Sequence, residues 1–148
     1  MTTPLDVQEL SQKIQEQFPD SVVEAAGDYL LLKSEALLDV ARFYHDSPGL
    51  ELDLLVSITG VDYIDYFEVV YHLVSIKHNH SVVLKTRAYD RDDPTVPSLT
   101  SIWQGADLQE REVYDLMGIT FSGHANHKRV LLWEGFPGHP LRKDFTGA

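Results

Sequence analysis

The chain has 148 residues, 43% of them hydrophobic, and a formal net charge of -11 at pH 7; that length suits one compact domain with an ordinary core and not a disordered segment. Cysteine is absent, which excludes disulfides, thiol nucleophiles, thiolate zinc sites and cysteine-ligated iron–sulfur clusters. The acidic balance is the wrong sign for a general nucleic-acid or anionic-membrane binder.

The first element reads as a helix, with Thr3 as cap, Pro4 at its first position, Val7, Leu10, Ile14 and Phe18 on one face, and Pro19 as its stop. Ser21 to Ala26 and Tyr29 to Lys33 read as a hairpin around Gly27-Asp28. Ser34 is placed to cap a second helix, whose Leu37, Val40, Ala41 and Tyr44 face inward before Pro48-Gly49 ends it. From Glu51 the period changes to two. Leu52, Leu54, Val56 and Ile58 alternate with Asp53, Ser57 and Thr59, the pattern of a half-buried strand. Phe67 to Lys77 and Ser81 to Arg87 are β-branched and aromatic-rich strands joined at His78-Asn79-His80. Ala88 to Pro97 is expected to be a loop. A last helix is expected from Leu108 to Met117, with Asp107 and Glu110 as a capping box and Gly118 as its end. The product is a two-layer α+β domain over residues 1–134, its mainly antiparallel sheet of about five strands packed with helices.

Residues 135–148 differ in kind. Gly135 to Phe145 is too rich in Gly and Pro for regular structure, yet carries Phe136, Leu141 and Phe145 among its charges. Ile119 to Ala148 has a net charge of +2, which leaves -13 on the residues before it. An extended tail of this kind is expected to lie along a surface, its own domain's or a partner's. Met1 to Glu16 holds no basic cluster and no apolar run of signal-peptide length, and no stretch is long enough to cross a bilayer, so a soluble or peripheral chain is expected.

On a helical wheel Leu108, Val113, Leu116 and Met117 share one side of the last helix, with Glu110, Arg111 and Asp115 opposite. Glu112 falls inside the apolar arc. A carboxylate there needs a partner, because isolated buried charge is very costly. A structural ion pair with Arg129, Arg87 or Arg91 is the favoured reading; a general acid or base and a partly exposed helix edge are the alternatives. His124 and His127, with Glu134 and His139 downstream, offer imidazole and carboxylate ligands, but in a loop that does not preset metal geometry. They are therefore read as polar or interface histidines. His78 and His80 flank a turn and read as solvated. No Walker pattern or G-x-G-x-x-G occurs, so NADH and flavin have no recognisable seat. Tyr63, Tyr66, Phe67, Tyr71 and Tyr89 read as core and cross-strand partners and not as base-stacking platforms.

Glu110-Arg111-Glu112-Val113-Tyr114-Asp115-Leu116-Met117-Gly118-Ile119, then Gly123-His124, then Lys128-Arg129-Val130-Leu131, resembles the signature of the C subunit of respiratory complex I. Gly138-His139-Pro140-Leu141-Arg142-Lys143-Asp144-Phe145 is similar to the segment that follows in that family, and Pro97-Ser98 with Trp103 and Ala106 fits the approach to it. Ala125, His127 and Leu108 stand where the family commonly has Pro, Leu and an aromatic residue. The resemblance implies a cofactor-free subunit in the hydrophilic arm of a proton-translocating NADH:quinone oxidoreductase, peripheral on the cytoplasmic side of the cell membrane. Its partners would be the large subunit of the quinone site and neighbouring iron–sulfur subunits, with no nucleic acid. NADH, flavin, iron–sulfur clusters and quinone would belong to the whole complex. Residues 136 and 138–145 would dock on the partner. The equivalent subunit of a ferredoxin- or F420-dependent quinone oxidoreductase or of a membrane-bound hydrogenase is the alternative, followed by a free-standing metalloenzyme using its histidines.

Overall fold

The computed structural model describes residues 3–146. Its elements are β1 (Thr3–Pro4), α1 (Val7–Gln17), β2 (Val22–Ala26), β3 (Tyr29–Leu32), a 3-10 turn (Ser34–Ala36), α2 (Leu37–Asp46), β4 (Leu54–Asp62), β5 (Phe67–Ser75), β6 (His80–Ala88), β7 (Thr95–Pro97), α3 (Ala106–Met117) and β8 (Thr120–Ser122). The main sheet has the order β2-β3-β6-β5-β4, and β1 also pairs with β6. The β2–β3, β4–β5 and β5–β6 pairs are antiparallel hairpins. The β3–β6 and β1–β6 pairs are parallel, so the sheet is mixed. β7 and β8 form a separate parallel pair.

The core lies on one face of the sheet. Leu30 and Leu32 of β3, Phe67, Val69, Tyr71 and Leu73 of β5, and Val82 and Leu84 of β6 alternate inward and are almost fully buried. Leu37, Val40, Ala41 and Tyr44 of α2, with Val7, Leu10 and Ile14 of α1, cover them. On the other face of the sheet Glu68 is only 3% exposed. Arg87 Nε donates to it at 3.2 Å, and Lys85 lies 3.9 Å away.

Several local expectations fail for identifiable reasons. The first helix begins at Val7, because Asp6 is its cap and accepts from Gln8 N and Glu9 N. Thr3 and Pro4 are instead extended, with Thr3 N and Leu5 N donating to Asn79 O and Ser81 O. Ser34 opens a 3-10 turn and caps nothing. Leu54 and Val56 are 43% and 52% exposed, against 6% for Leu55 and 8% for Ile58. A bulge between Leu55 and Ser57 shifts the register there, and one inserted residue reverses which side chains face the core. After the bulge Gly60 and Asp62 occupy inward positions. A Cβ on Gly60 would lie 2.9 Å from Val113 Cγ1 and 3.2 Å from Met117 Cγ, so the missing side chain lets α3 rest on β4.

Candidate functional site

α3 is held between the sheet and the irregular segment that follows β8. Its buried residues include Ala106, Glu110, Val113, Asp115 and Met117, while Leu108 is 58% exposed. The helix is therefore turned relative to the apolar arc expected from its sequence. No capping box forms: Gly105 is the cap, without a side-chain bond, and Glu110 points inward. Gly118 does close the helix, with φ +77 and its N–H donating to Tyr114 O.

Asp115 is the anchor of the segment beyond. Its Oδ1 accepts from Arg129 Nη1 at 2.7 Å, and its Oδ2 accepts from the N–H groups of Val130, Leu131 and Leu132 at 3.2, 2.7 and 2.8 Å. Burial pushes this carboxyl up, but the donors from Leu132, Arg129, Leu131 and Val130 outweigh it and hold it below the usual carboxylate range. Arg129 also donates to Asp115 O, Phe136 O and Gly138 O. Arg111 donates to Lys128 O and Arg129 O. His139 Nδ1 donates to Asp115 O, and Leu141 N donates to Leu116 O. The last-turn carbonyls of α3, left without helical partners, are thus capped by the chain's own C-terminal segment.

A second anchor lies at the end of β4. Asp62, 5% exposed, accepts a bidentate pair from Arg91 at 2.8 and 3.0 Å and a third bond from Lys143 N at 2.8 Å. Arg91 holds this carboxyl well below its usual range. Asp144 takes bonds from Arg142 and Arg91, which bring its pKa down to about 2. Arg142 Nη2 donates to Arg91 O, and a Cβ on Gly118 would meet His139 Cδ2 at 2.8 Å. Residues 123–146 form a strap tied down at two points.

Glu110 is fully buried and accepts from Ser98 Oγ at 2.6 Å and Leu99 N at 2.7 Å. Burial raises its pKa more than these donors lower it. His124 Nε2 lies 3.1 Å from Asp107 Oδ1 and 3.9 Å from Glu110 Oε1. His127 Nε2 accepts from Phe121 N, and burial, then the nearby His124, lowers the pKa of its ring. Among the described residues no three His, Asp or Glu side chains converge on a metal site.

Residues 30–148 match the family described as "Respiratory-chain NADH dehydrogenase, 30 Kd subunit". The chain is 41% identical over 147 residues to the NADH-quinone oxidoreductase C subunit of Roseiflexus sp. (strain RS-1), covering 95% of this chain and 84% of that protein. It is 43% identical over 135 residues to the protein of that name from Burkholderia multivorans, covering 84% and 68%. The chain belongs to the C subunit family of NADH-quinone oxidoreductases. Two solved structures share its fold. A chain in the membrane-bound sulfane sulfur reductase, an archaeal respiratory membrane complex, has a TM-score of 0.73 at 26% identity and covers 93% of this chain and 84% of its own. A trypsin-resistant fragment (1-134) of Nqo5 has a TM-score of 0.59 at 29% identity, covering 80% and 96%.

In this member of the C subunit family, three ion-pair assignments need correction. Glu112 is exposed. The carboxylate paired with Arg129 is Asp115, because the strap covers the helix flank that a wheel leaves polar. Arg87 pairs with Glu68 on the sheet, and Arg91 with Asp62. The tail residues divide as well. Phe136 and Phe145 are half-buried and stack on one another, ring centroids 6.4 Å apart and planes 14° apart. Arg142 is spent on its own domain. Lys128, Lys143 and Gly123 are exposed, and Pro140 is half-buried. The irregular segment begins after Ser122, well before residue 135. Leu131, Trp133 and Leu141 are 61%, 64% and 59% exposed on it. Asp62 and Ser98 are the partners that sequence reasoning missed, and Arg91, offered there as a partner for Glu112, pairs with Asp62 instead; Asp62, an acid at an inward strand position beside Gly60, carried the one readable signal. No helix among the described residues is long and apolar enough to cross a membrane.

Proposed function

We propose that this chain is a cofactor-free structural subunit in the hydrophilic arm of a proton-translocating NADH:quinone oxidoreductase, peripheral on the cytoplasmic side of the cell membrane, and that its C-terminal strap docks on the large quinone-site subunit. One observation carries the docking reading. The strap's backbone and its Arg129, His139 and Arg142 side chains are tied to its own domain, chiefly through Asp115 and Asp62, while Leu131, Trp133 and Leu141 are exposed. Folding does not need these side chains exposed, and large apolar residues held rigidly at a surface suit an interface core. The strap's net positive charge on an acidic chain favours a partner with acidic groups around an apolar patch. Family membership and a sequence without cysteine support the absence of a cofactor in this chain.

The likeness to a chain of the sulfane sulfur reductase supports a second reading, the equivalent position in a related respiratory complex. The identity of the neighbouring genes, NADH-oxidising flavoprotein subunits or others, separates the two. Docking is tested with a full-length, N-terminally tagged chain carrying Leu131→Ser and Trp133→Ser. Both residues are surface-exposed, so the melting temperature is expected to stay within about 2 °C of wild type. Recovery of partner subunits from native membranes is expected to be lost. Normal recovery with full quinone reductase activity would defeat the docking role.

A further inference from the structure

The β4–β5 turn carries an isoleucine where glycine is the usual choice. Ile64 has φ +74, left-handed backbone that a β-branched residue rarely adopts. The conformation is imposed by its surroundings. Ile64 N donates to Asp62 Oδ1, and Arg91 Nη1 donates to Ile64 O, both at 2.8 Å. Tyr63 N donates to Tyr66 O, and Asp65 N to Tyr63 O. Asp62 is itself buried and locked by Arg91. A rigid anchor thus holds a strained residue whose side chain is 59% exposed. Such strain persists where the surrounding structure over-determines it, and it clusters at functional surfaces.

The neighbours are of one kind. Tyr63 and Tyr89 are 47% and 65% exposed, and the rings of Tyr63, Tyr66 and Tyr89 follow one another at 5.3 and 5.6 Å. Arg87 lies 4.3 Å over Tyr66. Tyrosine and arginine beside an aliphatic knob is the composition of an interface centre. Asp65, Asp90, Asp92 and Asp93 are all exposed on the same two segments, whereas Arg91 is turned inward onto Asp62. Four aspartates against the exposed Lys143 of the adjoining strap leave the rim acidic. Asp62 and Arg91 also hold Lys143 N and Asp144 of the strap, so the tip and the strap share one anchor.

The geometry points to this tip as a second docking epitope, in which Tyr63, Ile64 and Tyr89 enter an apolar groove rimmed by lysine or arginine on another protein subunit of the complex. The inference rests on the reading that this chain works inside a multisubunit complex, and not on the role of the strap. Anionic lipid and nucleic acid are repelled by the rim, and a second copy of a chain of charge -11 is disfavoured on the same ground.

Ile64→Gly tests it, because glycine takes this backbone without strain and deletes the apolar side chain in one step. The tagged full chain with this substitution is expected to melt at or above the wild-type temperature. It is expected to recover about tenfold less of the other subunits from membranes. Asp65→Lys with Asp92→Lys is expected to lower recovery more at low salt than at high salt. Hydroxyl-radical footprinting of the wild-type chain, free and in the isolated complex, reads tip and strap separately. Protection of Tyr63 and Tyr89 on assembly supports the tip, even where Trp133 of the strap stays reactive and the strap reading fails. Protection of Trp133 alone overturns the tip and leaves the strap reading standing. Wild-type recovery with Ile64→Gly, burial of the same tyrosines in a dimer of the free chain, or their protection by anionic vesicles also overturns it.

Discussion

Asp115→Ala removes the acceptor on which the strap is hung. Asp115 is fully buried and the Arg129 side chain is 14% exposed, so the loss sits at the lower end of the roughly 3–5 kcal/mol that breaking a buried pair costs. The N–H groups of Val130, Leu131 and Leu132 also lose their acceptor. Val130 and Leu131 are 37% and 61% exposed, and water reaches that backbone once the strap lifts, which limits the added penalty. A total of about 3 kcal/mol lowers the melting temperature of a domain this size by roughly 6–12 °C. The assay is thermal denaturation by circular dichroism, with amide exchange read at residues 130–132, and Glu112→Ala serves as the matched control. Glu112 is exposed, so its truncation is expected to change stability by no more than about 0.5 kcal/mol. An Asp115→Ala protein that melts within about 2 °C of wild type, or a Glu112→Ala protein that melts lower, would refute the reasoning.

Glu110→Ala strands the Leu99 N–H, leaves the Ser98 hydroxyl only Thr100 as a partner, and is expected to cost about 1–3 kcal/mol in urea unfolding at neutral pH. Glu110→Gln keeps an acceptor without the buried charge and is expected to lose less than half of that. Gly118→Ala forces left-handed backbone, at about 1–2 kcal/mol, and places a Cβ against His139; the expected result is a lower melting temperature with faster exchange at the Leu141 amide. The Asp62, Asp115 and Asp144 carboxyls are held below their ordinary range. The stability they supply is complete above the unfolded carboxylate value, about 4, and is lost as pH falls through their folded values, Asp144's being about 2. Melting temperature measured from pH 6 to pH 2 should therefore drop below about pH 4, with strap protection lost first. Glu110, whose pKa is raised, works in the opposite sense over its own interval, losing stability as pH rises.

The parts of the fold set by local periodicity were legible. β-Branched and aromatic composition marked β5 and β6, Gly27-Asp28 marked the β2–β3 turn, and the inward row of α2 was read residue by residue. The bulge in β4 was not legible, because an extra residue leaves a run such as Leu54-Leu55-Val56 equally apolar on both faces. The parallel place of β3 against β6 was also missed, since hairpin signals report only neighbours in sequence. At the site, the need for a buried carboxylate paired with an arginine was read from α3, but Glu112 was chosen over Asp115. A wheel weighs one helix against one core. Here α3 is covered from two sides, by the sheet and by the strap, and loop residues Ser98 and Leu99 and strap residues 129–132 supply the donors that make Glu110 and Asp115 buriable. Those donors lie 11 to 17 residues away in sequence, beyond any helical period.

The claim that the strap presents its apolar side chains to a neighbouring subunit is tested most directly by placing a benzophenone photo-cross-linking amino acid at position 133 in the tagged full chain, with a second protein carrying it at exposed position 72 on the sheet. Irradiation of the assembled complex in native membranes, followed by mass spectrometry of the adducts, is predicted to join position 133 to the large quinone-site subunit. Cross-links from position 133 only to this chain itself, or to the large subunit no more often than from position 72, would contradict the account.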